Sequence, residues 1–268
     1  MTAAPRENPA GAADFAALHH ADVPLLLPNA WDHASALALA GEGFEAVGTT
    51  SLGVAAAAGL PDGAAATRDL TVQLARRLGG GRFLLSVDAE DGFGGDPDDV
   101  AALARELADA GAVGVNIEDG LGPAPSHAAK IAAVKAAVPH LFVNARTDTY
   151  WLGDGDHADT CRRLDAYLQA GADGVFVPGL SDPDRISDLV TTFDAPLNIL
   201  YSPLGPPVAQ LGDLGVRRIS LGSLLYRRAL GAAVDTALAI RAGRATEGTV
   251  PSYADVQALG ARGLDRRA

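Results

Sequence analysis

The sequence predicts an α/β chain folded as one (β/α)8 TIM barrel with an extra C-terminal helix. Three observations predict it. A nearly constant phrase (a helix end, a glycine and a short apolar run) recurs at Ala40–Gly48, Ala110–Val115, Ala170–Val175 and Leu214–Ile219. Further apolar runs lie between these phrases, at 24–28, 82–87, 141–143 and 196–200. Amphipathic stretches separate the runs, so strands alternate with helices, the pattern of βαβ units and a parallel sheet. Eight such units close into a barrel. The rival arrangement is an open doubly wound sheet, but the first strand is not followed by Gly-x-Gly-x-x-Gly.

The strands fall near 24–29, 45–50, 82–88, 112–118, 141–147, 174–178, 196–201 and 217–222. Helical patterns occupy 98–110, 128–138, 159–170 and 182–193, and a last one runs over 253–262. The glycine of each phrase suits the left-handed position just past a helix. Residues 1–14 read as a loose tail, without the basic start and apolar stretch of a secretory signal. The whole of 1–268 reads as a single domain, because barrels often run to about 250 residues.

Composition narrows the function classes. Hydrophobic residues make up 48% of the 268, enough for a large core, yet no apolar run approaches the roughly 20 residues of a membrane span. The net charge of −12 carries no basic stripe, which excludes nucleic acid and anionic membranes as partners. The single cysteine, Cys161, excludes an internal disulfide and a cluster of thiolates. A cytoplasmic enzyme is the expected reading. An acidic protein that accepts a small carboxylate needs local positive charge, from a metal ion, an arginine or backbone N–H groups.

Barrel enzymes place their chemistry where the strands end. Here the second strand runs into Thr49-Thr50-Ser51, the third ends Ser86-Val87-Asp88-Ala89-Glu90-Asp91, the fourth Asn116-Ile117-Glu118-Asp119 and the fifth Asn144-Ala145-Arg146. Side chains alternate along a strand. Three adjacent strands therefore aim a polar pair at the axis, where an ordinary core has Val or Leu, and such groups are costly unless satisfied. Asp88, Glu90 and Glu118 form an all-oxygen set suited to Mg²⁺ or Mn²⁺. Arg146 can bind a carboxylate bidentately. The turn Thr50-Ser51-Leu52 offers hydroxyls and N–H groups to an anionic oxygen.

These residues also carry a resemblance. Asp88-Ala89-Glu90-Asp91-Gly92-Phe93-Gly94, Glu118-Asp119, Ala145-Arg146-Thr147-Asp148 and Gly59-Leu60-Pro61-Asp62 are similar, in order and in place, to motifs of the isocitrate lyase / phosphoenolpyruvate mutase superfamily, and the likeness runs from about Leu25 to Ala242. The resemblance implies that Asp88 binds Mg²⁺ directly or through water, that Glu90 and Glu118 hold its waters, that Thr50, Ser51 and Leu52 line the anionic end of the substrate, and that Arg146 binds substrate oxygens. It places Asp62 near the reacting end. It implies a carbon–carbon lyase or decarboxylase acting on a small 2-oxo or 2-hydroxy acid through a metal-chelated enolate, in a homodimer or homotetramer that exchanges C-terminal helices. The alternatives are P–C chemistry, such as phosphonopyruvate hydrolysis or phosphoenolpyruvate mutation, and a non-catalytic binder of 2-oxo acids.

The chain departs from the family pattern at the second signature acid, which is Glu90 rather than Asp, and in one loop. The lyases carry a catalytic cysteine in a Lys-(Lys/Arg)-Cys-Gly-His loop after the fourth strand, and the mutases carry Lys and Asn there. Here the stretch is Gly120-Leu-Gly-Pro-Ala-Pro-Ser-His127, with Ala124 and Ser126 where the mutases have Lys and Asn. Loss of CO₂ needs no such acid, so decarboxylation is the expectation, with His127 dispensable. Among other residues, His33 reads as a helix start, Cys161 as structural or surface, and Tyr150 and Trp151 as packing in preference to covering the site. Gly222-Ser223 resembles a barrel phosphate turn but lacks a glycine-rich approach.

Overall fold

The computed structural model describes residues 9–261. Nine strand segments form one all-parallel sheet: β1 (Leu25–Leu27), β2 (Asn29–Ala30), β3 (Ala46–Thr49), β4 (Leu84–Asp88), β5 (Ala112–Glu118), β6 (Phe142–Arg146), β7 (Gly174–Val177), β8 (Leu197–Leu200) and β9 (Arg218–Ser220). Their order is β1-β9-β8-β7-β6-β5-β4-β3-β2. The first two segments are halves of one strand split at Pro28, which has no N–H to give to a ladder. The first half pairs with β9 and the second with β3, so the sheet closes on itself. The nine segments are thus the eight predicted strands of a (β/α)8 barrel.

Eleven helices accompany them among the described residues: α1 (Pro9–Leu18), α2 (His33–Gly41), α3 (Ser51–Ala57), α4 (Arg68–Leu78), α5 (Pro97–Asp109), α6 (Ala124–Ala137), α7 (His157–Gln169), α8 (Pro183–Thr192), α9 (Val208–Asp213), α10 (Leu224–Arg241) and α11 (Tyr253–Ala261). Local sequence explains their starts. Asp32, Asp96, Asp156 and Asp182 cap α2, α5, α7 and α8 by accepting backbone N–H bonds, and Pro97 and Pro183 open α5 and α8. The His33 expectation holds in this sense. The glycines of the repeated phrase, Gly43, Gly111, Gly171 and Gly215, all take left-handed φ values of 89–98°. The inner faces follow helical spacing. In α5, Val100, Leu103, Ala104 and Leu107 are buried against the sheet, each large side chain contributing roughly 1.5–3 kcal/mol.

The tail expectation requires correction. Residues 9–14 belong to α1; residues 1–8 of that tail lie outside the described residues. Phe15 of α1 is fully buried among Leu27, Ala46, Val113 and Phe142, at the N-terminal ends of the strands. A Cβ on Gly114 would stand 2.6 Å from the Phe15 ring, so glycine there makes the close approach feasible. At the other end of the chain α10 buries only Ala239 and exposes Leu230, Val234, Leu238 and Ile240, and α11 packs on α2. Among the described residues no helix is long and apolar enough to cross a membrane.

Candidate active site

The C-terminal ends of the strands surround a cavity of about 130 Å³, whose lining includes Thr50, Ser51, Leu52, Asp62, Asp88, Asn116 and Arg146. Alternation along β4, β5 and β6 does bring their polar residues inward. Asp88 leaves the end of β4. One of its oxygens accepts the N–H of Ser51 at 3.0 Å, and its own N–H donates to Thr49 Oγ1 at 2.9 Å. Thr50 and Ser51 are therefore the N-cap and first residue of α3 rather than a free turn, and the Ser51 N–H is already engaged. Thr50, Ser51 and Leu52, the residues expected at the anionic end of the substrate, all line the cavity.

Arg146 ends β6 above the Phe176 ring. Its Nη1 meets Glu118 at 2.6 Å and its Nε meets Asp148 at 2.7 Å. Nε and one donor of Nη1 are committed, so Nη2 is left for a substrate oxygen. Burial pushes the Glu118 carboxyl up to about 8; Arg146 opposes this, and the charges of Asp88, Asp148 and Asp62 reinforce it. Burial also raises Asp62, with the Asp88 charge adding and Ser51 opposing. Glu90 is raised by burial, although Thr67 Oγ1 at 2.5 Å and the Ala65 N–H at 3.1 Å both donate to it. Glu90 sits at a left-handed φ of 48°, and its carbonyl accepts the Glu118 N–H at 2.8 Å, which ties the ends of β4 and β5 together.

The three expected metal ligands are not one compact shell. Asp88 lines the cavity, whereas Glu90 and Glu118 are not among its lining residues. Their carboxyls nevertheless feel the Asp88 charge. Such an oxygen-only set, with Glu90 and Glu118 raised in pKa by burial, fits a hard cation held directly by Asp88 and through water by the other two. Asp119, the other half of the Glu-Asp motif, is structural. It accepts from Thr147, Tyr167, Arg163 and the N–H groups of Leu121 and Asp148.

The loop of Gly120–Pro123 is a short turn, and α6 begins at Ala124. His127 lies in α6, 4% exposed and edge-on to Tyr167, outside the cavity lining, and burial pushes its pKa down to about 4. Of the two residues read as packing in preference to covering the site, Trp151 lines the cavity and Tyr150 is not among its lining residues.

Several lining residues were not foreseen. Asn29 stitches the barrel at the Pro28 break. Its Nδ2 donates to Thr49 O at 2.7 Å, and its Oδ1 accepts the N–H groups of Leu221 and Gly222 at 3.1 and 2.8 Å. With those amides engaged, the Gly222-Ser223 turn is no phosphate cradle. Arg218 is buried inside the barrel and donates to Asn116 Oδ1 and Ser220 Oγ, each at 3.1 Å. Asn144 donates to the same Asn116 oxygen at 2.9 Å, which fixes the flip of that amide and leaves its Nδ2 for the cavity. The alternation of Arg218 with Ser220 around Ile219 was the available signal for an inward-facing arginine. Arg227 of α10 also lines the cavity, held by Ser223 Oγ at 3.2 Å.

Comparison with known proteins places this geometry. Residues 15–241 match the family described as phosphoenolpyruvate phosphomutase. An uncharacterized protein of Mycobacterium tuberculosis (strain H37Rv) is 46% identical over 91% of this chain and 95% of its own. A 2-methylisocitrate lyase of Bacillus subtilis is 33% identical over 65% of this chain and 61% of its own. An oxaloacetate decarboxylase of Chromohalobacter salexigens is 31% identical over 83% and 82%. Among solved structures, that of a candidate lyase/mutase from Burkholderia cenocepacia J2315 superposes with a TM-score of 0.85 at 35% identity, covering 94% of this chain and 96% of that one.

Proposed function

This chain belongs to the isocitrate lyase / phosphoenolpyruvate mutase superfamily, and from that premise we propose that it is a Mg²⁺-dependent carbon–carbon lyase that decarboxylates or cleaves a small 2-oxo or 2-hydroxy carboxylic acid. One observation carries the reading: Asp88 and Arg146 face a single small cavity at the C-terminal mouth, with the raised carboxyl of Glu118 bonded to Arg146. When bound there, Mg²⁺ supplies the positive charge that polarises a 2-oxo acid and favours electron flow toward its oxygens.

The residues of the chain do the rest. The Ser51 N–H fixes Asp88 so that its second oxygen is available. A cation near Asp88 also lowers the proton affinity of Glu118, and Arg146 binds the substrate carboxylate with Nη2. Asp62, on the exposed loop after α3 and raised in pKa, is the acid placed to hold or give a proton at the cavity entrance. His127 and the short loop after β5 contribute no residue to the cavity lining, which supports loss of CO₂ over a cleavage that needs a loop acid. The apolar side chains left exposed on α10 support a homo-oligomer, with the C-terminal helices as its contact.

The test is CO₂ release from oxaloacetate, compared with a methylisocitrate-type acid and with phosphonopyruvate. The expected outcome is multiple turnover of oxaloacetate that excess chelator abolishes and Mg²⁺ or Mn²⁺ restores. Because Mg²⁺ competes with protons at the carboxyls, its affinity is expected to be weaker at pH 6 than at pH 9, on either side of the Glu118 value of about 8. Full activity in chelator would remove the metal from the mechanism. Phosphate release from phosphonopyruvate, without turnover of either carbon acid, would replace this reading by P–C chemistry.

A further inference from the structure

Outside the cavity, on the outer helical layer, α7 and α8 bring together three side chains that the reaction does not use. His157 and Cys161 lie one turn apart on the same face of α7, and Asp188 faces them from α8. One donor atom from each residue lies within 4.8 Å of the other two. His157 Nε2 is 2.6 Å from Asp188 Oδ2, and His157 Nδ1 is 3.1 Å from the Tyr150 hydroxyl. We propose that His157, Cys161 and Asp188 form a binding site for one zinc-class divalent cation, with Tyr150 orienting the histidine from behind.

The donor chemistry selects the metal. One sulfur, one imidazole nitrogen and one carboxylate oxygen make a borderline-soft set that suits zinc, whereas magnesium and calcium demand oxygen. Ligand bonds of about 2.0–2.3 Å to a tetrahedral centre put donor atoms roughly 3.3–3.7 Å apart, so the site must adjust, the His157–Asp188 pair opening from 2.6 Å to admit the ion. Asp188, whose side chain is 54% exposed, is free to make that movement. The bond from Nδ1 to Tyr150 leaves Nε2 as the ligating nitrogen, the usual division of labour between the two ring atoms of a metal-bound histidine. Binding replaces the proton shared by Nε2 and Asp188 and releases the thiol proton. Water completes the fourth position on the exposed side.

The placement gives the site a consequence. Tyr150 is followed by Trp151, which lines the cavity, and both belong to the connection between β6 and α7. A cation at the start of α7 therefore anchors the segment that positions one wall of the active site. It also differs in kind from the oxygen-only set at the barrel mouth, so the two sites can be loaded independently.

The experiment uses Co²⁺ as the probe, added to the full-length protein in excess Mg²⁺. The expected result is one Co²⁺ per chain with a near-ultraviolet thiolate-to-cobalt absorption that Zn²⁺ displaces. Cys161 is the only cysteine, so Cys161→Ser must abolish that band. His157→Ala and Asp188→Asn are each expected to weaken Co²⁺ binding by more than about tenfold, and Tyr150→Phe by about tenfold. Circular dichroism and the Tm of each variant report on folding. Absence of the band at millimolar Co²⁺ overturns the proposal. So does a band whose affinity is the same in the folded His157→Ala and Asp188→Asn proteins, which would be the mark of a lone thiol.

Discussion

At its N-terminal end the barrel is filled by Phe15, Leu27, Ala46, Val113 and Phe142; at its C-terminal end β4, β5 and β6 finish in Asp88, Glu118 and Arg146. Both ends close the same cylinder, with opposite chemistry. The lower end even neutralises what polarity it contains. His19 stacks on Phe142, and burial pushes its pKa down to about 3. The upper end keeps its ionisable groups, with the carboxyls of Glu118, Asp62 and Glu90 raised by burial. Between the two lies Arg218, pushed down to about 9 by burial while the Asp88 charge opposes the shift. The difference teaches that stability and reactivity are held in separate layers of one barrel, the division generally found in this architecture.

The sharpest way to break this comparison is at the lower end. Phe15→Ala is expected to lower the unfolding free energy by about 3–5 kcal/mol, the range for a buried phenylalanine. The kcat/KM of the folded fraction should stay near the parent value; denaturant melts and steady-state kinetics on one preparation measure both. At the upper end the pattern inverts. Asp88→Asn should not lower Tm, because it relieves crowded negative charge, but should cut Mg²⁺-dependent turnover by more than the roughly 10–100-fold typical of an outer-shell partner. A fall in stability equal to that of Phe15→Ala would show that the layers are not separable. Arg146→Lys keeps the charge but cannot bridge Glu118 and Asp148 together. Its kcat/KM is expected to drop by about 1.5–3 kcal/mol, the range for a charged hydrogen bond. His127→Ala is the smallest effect on rate: within a few-fold of the parent, against the loss of about 10²–10⁴ that removal of a general acid brings. A larger loss in folded protein would return the reaction to an acid-assisted cleavage.

The strands and the polar mouth were legible in the sequence because both depend on local patterns: apolar runs bounded by glycine, and polar residues at alternate positions near strand ends. What escaped reading depends on contacts distant in the chain. The stretch of α1 has no strongly sided apolar pattern, and only its packing on β5 and β6 reveals why Phe15 is there. Arg218 sits in a strand whose neighbour Arg217 points outward, so the pair reads as surface until the barrel closes. Ser51 reads as a free turn because its partner, Asp88, lies 37 residues away. The loop motif after β5 was informative by what it lacked, since His127 could be distrusted as an acid before its burial was seen.

The break at Pro28 has a bearing on how the chain is made. Every other strand pairs with its neighbours in sequence, but the first must wait for the last. The bonds from Asn29 to Leu221 and Gly222 span 192 and 193 residues. Such a long closure is entropically costly and slow to form. As the polypeptide leaves the ribosome, the sheet can grow strand by strand from β3 to β8 while its two edges remain unjoined. Ring closure is then expected to come last in folding, and it seats Asn29 on the cavity wall. A nascent or truncated chain lacking β9 thus has most of its hydrophobic core and no finished pocket, so that catalytic competence arrives together with the final strand.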